Sequence, residues 1–299
     1  MWRSTCNFLF FLIFMLLLPA CDAPSEKQIY EKKLVISTNS WIGYVPLYYA
    51  KEKGYLDNLN IDLIVNVSLV EAADVYLVGN ADIVTATQHE YRMLSRSIRD
   101  TVPFMLLDRS YGADVILSNR TLDQIKRAKK IVAYLEIDSV NADLLRDFIQ
   151  RHHLDEKKFV FINKDQAQTQ QLKPLANSTV VIVTYAPYYD KLVQKGFKIV
   201  GSTKEMKDLI VIDALFTHLP ILNSESKRLK ALKNTIDSAI AEINRDPQKY
   251  YPMLRGYLVN LGYEDYLQPL KGIKWINHPS DTLLRRIEGL GYEKENIIK

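Results

Sequence analysis

Residues 39–44, Asn-Ser-Trp-Ile-Gly-Tyr, place an amide, a hydroxyl, an indole and a phenol within six positions. Their chemistry is recognition. Aromatic rings offer a flat apolar face with a polar tip, and short polar side chains orient a bound solute. The same rings could instead plug a core, and spacing alone leaves the two readings level. No catalytic set accompanies them. His152 and His153 are neighbours and face different sides of a helix, while His89, His218 and His278 have no partner spacing. H-E-x-x-H, a glycine-rich phosphate loop and G-x-S-x-G are all missing from the sequence. The only cysteines are Cys6 and Cys21, which leaves no pair for a disulfide or thiolate metal site in a processed chain. An enzyme is therefore disfavoured, and no metal or organic cofactor is expected.

A recognition loop needs elements to hold it. The run Leu34-Val35-Ile36 before it is apolar and β-branched, the mark of a buried strand. Pro46 stands where a helix begins, because its missing N–H is one the helix could not have bonded. Gly54 stops that helix by taking the left-handed conformation. A loop between a strand end and a helix start is where open α/β sheets bind ligands. The pattern repeats downstream. Strands are predicted at 61–67, 81–87, 102–107 and 113–118, with helices at 69–78 and 88–98. A second set has strands at 131–135, 159–162, 180–184 and 197–200, with helices at 122–130, 139–152, 165–173 and 186–194. A further apolar run covers 209–216, and from 223 the spacing predicts helices only. Alternation of this kind calls for mainly parallel sheets flanked by helices, in two lobes with a helical tail.

The 299 residues suffice for two ordinary domains, and 47% hydrophobic with 25% charged content suits a globular chain. A net charge of +4 with no long basic run excludes a nucleic-acid role. Residues 8–18 are unbroken apolar sequence, too short to span a bilayer comfortably and typical of an export signal. The following Leu17-Leu18-Pro19-Ala20-Cys21 is similar to a bacterial lipobox, which implies cleavage before Cys21, palmitate-type lipid on its thiol and a tether over 21–31. Cleavage to a soluble product is the alternative.

Five stretches carry a resemblance. They are Trp41-x-Gly43-Tyr44-x-Pro46-x-Tyr48-x-Ala50-x-x-x-Gly54-Tyr55, Ala81-Asp82-Ile83-Val84, Ser110-Tyr111-Gly112-Ala113-Asp114, Val183-Thr184-Tyr185-Ala186-Pro187-Tyr188 and the helical end from Ser226. In this order they resemble ABC-transporter substrate-binding proteins of the type II periplasmic-binding-protein fold, in the nitrate/sulfonate/taurine and thiamine-pyrimidine group. The resemblance implies a discontinuous lobe one at 32–116 and 213–299, and a lobe two at 117–212. Chain crossings are expected near 114–118 and 210–214, and the tail should pack on lobe one.

By the same resemblance, lobe one lines the cleft with Asn39, Trp41, Tyr44, Thr85, Thr87, Gln88, Ser110 and Tyr111. Lobe two adds Glu136, Ser139, Asn141 and Tyr185. Thr85 and Thr87 read equally as strand-end caps, Glu136 as an exposed turn charge, and Ser139 as a helix cap. The implied function is an extracytoplasmic, membrane-anchored monomer that hands a small solute to a membrane permease and its ATPase. The same fold serving a membrane kinase, cyclase or chemoreceptor as a sensor is the alternative, and an enzyme on this fold is argued against by the export signal. A pyrimidine-like heterocycle, a sulfonate and an amino compound all remain open as ligand.

Overall fold

The apolar run before the recognition loop forms strand β1 (Leu34–Asn39). A computed structural model describes residues 30–206, 209–259 and 261–299. The expected signal at 1–20, Cys21 and all of the tether but Tyr30 and Glu31 lie outside those residues. Within Lys32–Lys299 the chain builds two sheets. The first contains β1, β2 (Ile61–Asn66), β3 (Ile83–Thr87) and β4 (Thr101–Ser110). The second contains β5 (Asp114–Ser118), β6 (Ile131–Leu135), β7 (Phe159–Asn163), β8 (Thr179–Tyr185) and β9 (Lys198–Ser202). Strand β10 (Ile212–His218) and the short β11 (Ile273–Trp275) return to the first, giving orders β11-β4-β10-β3-β1-β2 and β7-β6-β8-β5-β9.

Four expectations change. The sheets are mixed rather than mainly parallel: β1 pairs in parallel with β2 and β3, but β10 runs antiparallel to β3 and β4. The tail is not purely helical, because Ile273–Trp275 adds an edge strand to β4. Three residues are too few to show a period, so the register of β4 decides it. The chain leaves the first sheet after Ser110, and β5, where a crossing was expected, lies wholly in the second. Several helices are shorter than their apolar pattern suggests, at Gln166–Thr169 and Tyr189–Gln194.

The tail helix Ser226–Arg245 buries Leu229, Leu232, Ile236, Ala239, Ile240 and Ile243, an apolar stripe at three- and four-residue spacing. It packs on the first lobe through the same core as Val45, Leu47 and Tyr48. Arg228 is buried there and fixes the register: its guanidinium donates to the Lys32 carbonyl at 2.7 Å and the Leu59 carbonyl at 2.8 Å. The recognition loop is held equally firmly. The helix Val45–Glu52 carries Pro46 in its first turn, and Gly54 ends it at φ 71°. At Gly43 an added Cβ would lie 2.1 Å from an Asp108 oxygen and 2.3 Å from the Trp41 indole nitrogen. Glycine is required there by close packing rather than by conformation.

Candidate functional site

Sheet register brings acids together at the edge where the lobes meet. Asp213, near the start of β10, lies opposite both Thr87 at the end of β3 and Asp108 near the end of β4. Asp114 opens β5 in the second sheet, opposite Tyr185 at the end of β8. All three aspartates are at most 3% exposed. Like charges facing across strands repel, so the arrangement costs stability unless something offsets it.

Each aspartate has a partial set of partners. Trp41 Nε1 donates to Asp108 Oδ2 at 3.4 Å, and the Tyr44 hydroxyl donates to Asp213 Oδ1 at 2.6 Å. Asp108 Oδ1, Asp114 Oδ2 and Asp213 Oδ2 are buried without any hydrogen-bond partner. Burial pushes the Asp108 and Asp213 carboxyls well above the usual range, and the neighbouring aspartates push in the same direction. Burial raises Asp114 to about 7; the Ser110 hydrogen bond opposes it, and Glu90 adds a smaller push upward.

Aromatic rings surround these acids. Trp41 meets Tyr185 edge-on, with ring centroids 5.7 Å apart, and Tyr185 meets Tyr188 in the same way at 5.6 Å. The Trp41–Tyr185 contact joins the lobes, as do the Asn39 amide on the Tyr185 hydroxyl at 3.4 Å and the Ile42 N–H on the Ala186 carbonyl at 3.3 Å. The lobes are thus closed on each other. A second tie is the Val140 N–H, which donates to Glu90 Oε1 at 2.9 Å.

Eleven of the twelve residues nominated from sequence divide into three groups. Asn39, Trp41 and Tyr185 are buried where the lobes touch, Asn141 is buried next to Val140 at the second tie, and Tyr44 is buried against Asp213 of its own lobe. Both polar atoms of the Asn141 amide are buried and unpartnered. A second group is taken up by local structure. Thr87 caps the helix Gln88–Ser97 in a reciprocal box with Glu90, and Ser139 caps the helix Val140–Arg151. Gln88 clamps the crossing strand, donating to the Ile210 carbonyl at 2.8 Å and accepting from the Ile212 N–H at 3.1 Å. Ser110 bonds Thr203 and the Asp114 N–H, and Thr85 donates to Thr38 at 2.8 Å. Tyr111 stands apart in the third group, its half-buried ring under Lys274 Nζ at 3.5 Å.

Glu136 is not the exposed turn charge that one reading of the sequence makes it. It is 3% exposed, accepts from Gln166 Nε2 at 3.2 Å, and burial raises its carboxyl to about 7. It also lines a groove of about 700 Å³ running between the lobes from Val67 to Gln171. His89, given no partner from spacing, bonds Asp143 of the other lobe at 3.0 Å.

Asp108, Asp114 and Asp213 were not nominated. A signal existed: each is an acid at the edge of an apolar strand, in Phe-Met-Leu-Leu-Asp, Asp-Val-Ile-Leu and Ile-Val-Ile-Asp-Ala-Leu-Phe. An ionisable group in such a run is costly to bury and marks a place to look.

No protein-family model and no curated protein sequence matches the chain. Solved structures do. The ligand-binding component of an ABC-type import system from Staphylococcus aureus, with zinc bound, aligns at TM-score 0.72 and 10% identity, covering 90% of this chain and 97% of that one. The periplasmic aliphatic sulphonate binding protein of Escherichia coli aligns at 0.69 and 14%, covering 87% and 86%. The periplasmic nitrate-binding protein of Synechocystis PCC 6803 aligns at 0.60 and 14%, covering 78% and 68%. The chain has the two-lobed periplasmic-binding-protein fold expected from its motifs.

Proposed function

We propose that the chain is the solute-capturing receptor of an ABC importer, working outside the cytoplasmic membrane. The observation that carries this reading is the buried, incompletely bonded polar cluster at the seam of two closed lobes. A pocket that closes by hinge motion binds solute strongly and releases it unchanged to a permease. Trp41, Tyr44, Asn141 and Tyr185 serve as direct contacts, while Thr87, Gln88, Ser110 and Ser139 hold the elements that present them. The receptor acts as a monomer and is fixed to the membrane by lipid on Cys21.

Two experiments test this. Thermal shift and calorimetry of the chain from residue 30 onward, with a panel of cationic, neutral and anionic solutes, should show binding with at least one class. Failure of every class to bind or thermally stabilise the protein would overturn the receptor reading. In cells, Cys21→Ser should block incorporation of labelled fatty acid and move the protein to the soluble fraction. Unchanged membrane association would remove the lipid anchor.

A further inference from the structure

The interlobe cluster is asymmetric in charge. Asp108, Asp114 and Asp213 each keep one buried oxygen without a donor, and the charges acting on them are each other and Glu90. Among the described residues none of the three is ion-paired with a lysine, arginine or histidine. Glu90 itself is spent, accepting from the Thr87 and Val140 N–H groups at 3.0 and 2.9 Å. Burial and their mutual repulsion hold these carboxyls toward the protonated form; a bound cation favours their ionised form, whereas a sulfonate, carboxylate or nitrate opposes it and finds no arginine fork to receive it.

Two independent features agree. Asn141, fully buried beside Val140 on the facing lobe, has both amide atoms unpartnered. A buried amide with neither donor nor acceptor engaged is costly unless a ligand supplies both. The interlobe groove, moreover, is acidic although the whole chain is positive: Glu71, Asp74, Glu136, Asp138 and Asp165 line it against Lys164. Such a groove concentrates cations at the lobe boundary and repels anions.

Resting on the receptor reading above, we propose that the solute is a small organic cation. It carries a protonated amine or amidinium group whose N–H donors take the free oxygens of Asp108, Asp213 and Asp114. The edges and faces of Trp41 and Tyr185 bound its apolar portion, a setting that favours a cation beside aromatic rings. A bare metal ion fits less well, because among the described residues no three His, Cys, Asp or Glu side chains are arranged to ligate one. The preference separates this chain from the sulphonate- and nitrate-binding proteins whose fold it shares.

Matched probes test the charge directly. Benzylamine and benzamidine form the cationic set, benzyl alcohol and uracil the neutral set, and benzenesulfonate, ethanesulfonate and nitrate the anionic set. Thermal shift and calorimetry at pH 8 should give binding in the cationic set alone. Asp108→Asn and Asp213→Asn should each weaken it at least tenfold. Asp147→Asn, whose acid pairs with Arg151 on the same helix, should leave it unchanged. Denaturant midpoints of both site variants at or above the parent's would confirm that lost binding is not lost folding. Binding by the anionic or neutral set alone overturns the cation assignment and leaves the receptor reading standing. Cation binding that survives both substitutions overturns the aspartate assignment. Silence from all three sets overturns the receptor reading itself.

Discussion

Two acidic places lie on the lobe boundary, and they are treated in opposite ways. At the rim, Asp143 on the helix Val140–Arg151 meets His89 Nδ1 at 3.0 Å and Arg92 at 2.6 Å, both on the first lobe's helix Gln88–Ser97. Arg146 adds a third contact at 3.0 Å from its own helix. Burial raises the Asp143 carboxyl, but the hydrogen bonds and charges of His89 and Arg92 outweigh it and hold it at about 2. In the interior, Asp108, Asp114 and Asp213 are more deeply buried and their described neighbours supply no cation. The rim acid is satisfied by the protein and latches the lobes. The interior acids each keep one oxygen without a donor and meet no cation among the described residues, which is the condition of a site that takes its counter-charge from outside.

The sharpest break of this contrast is at Trp41, which borders the interior group through Asp108 and Tyr185. Trp41→Ala should cost about 3–5 kcal/mol of folding stability by denaturant titration, since the indole is 3% exposed and leaves a cavity. A loss below about 1 kcal/mol would mean the site collapses freely and is not preformed.

The pH dependence of the ligand-free protein comes next. Asp114 and Glu136 titrate near 7 when folded, above their ordinary 3.8 and 4.5. Raised folded values favour the protonated native state. Their stability contribution is therefore complete below about pH 4 and lost as pH rises through 7. Asp108, Asp213 and Glu90 face Asp114 and deepen the loss. Glu90 and Asp165 act likewise on Glu136, while hydrogen bonds from Ser68 and Gln166 oppose it. Each tenfold difference in proton affinity between the folded and unfolded chain is worth about 1.4 kcal/mol, so unfolding free energy should fall by about 3 kcal/mol or more from pH 5 to pH 8. Asp114→Asn should flatten the curve, and a flat curve in the parent would remove the contrast with the rim.

Breaking the rim instead should act on closure. Asp143→Asn leaves His89, Arg92 and Arg146 without their shared carboxylate. It should weaken lobe closure by about 1–2 kcal/mol, the scale of a charged hydrogen bond. Scattering would read this as a larger radius of gyration without solute, and an unchanged radius would show that the latch is idle. Smallest of all is Tyr111→Leu. It removes the ring beneath Lys274, which Arg109 also approaches, and should change stability by about 0.5–1 kcal/mol. Solute affinity should stay put, and a tenfold loss would return Tyr111 to the site.

Much of this was legible in the sequence because local rules decide it. The apolar run 34–36, Pro46 and Gly54 specify strand, loop and helix wherever they occur, and the stripe from Leu229 to Ile243 specifies a buried helix face. Ser139 reads as a helix cap for the same reason, whereas Thr87, level between a strand-end cap and a cleft residue, caps the helix Gln88–Ser97. Trp41, Tyr44, Asn141 and Tyr185 came from the motif resemblance; all four are buried, and Trp41 and Tyr185 touch across the lobes. What the sequence could not assign was which residues face one another. Asp108 and Asp213 stand 105 positions apart, and only the antiparallel return of β10 beside β4 sets them opposite. The same return makes the sheet mixed, and β4 recruits Ile273–Trp275 as an edge. Hydrophobic period, caps and turns are properties of a few consecutive residues, whereas register and charge pairing belong to strands brought together from distant parts of the chain.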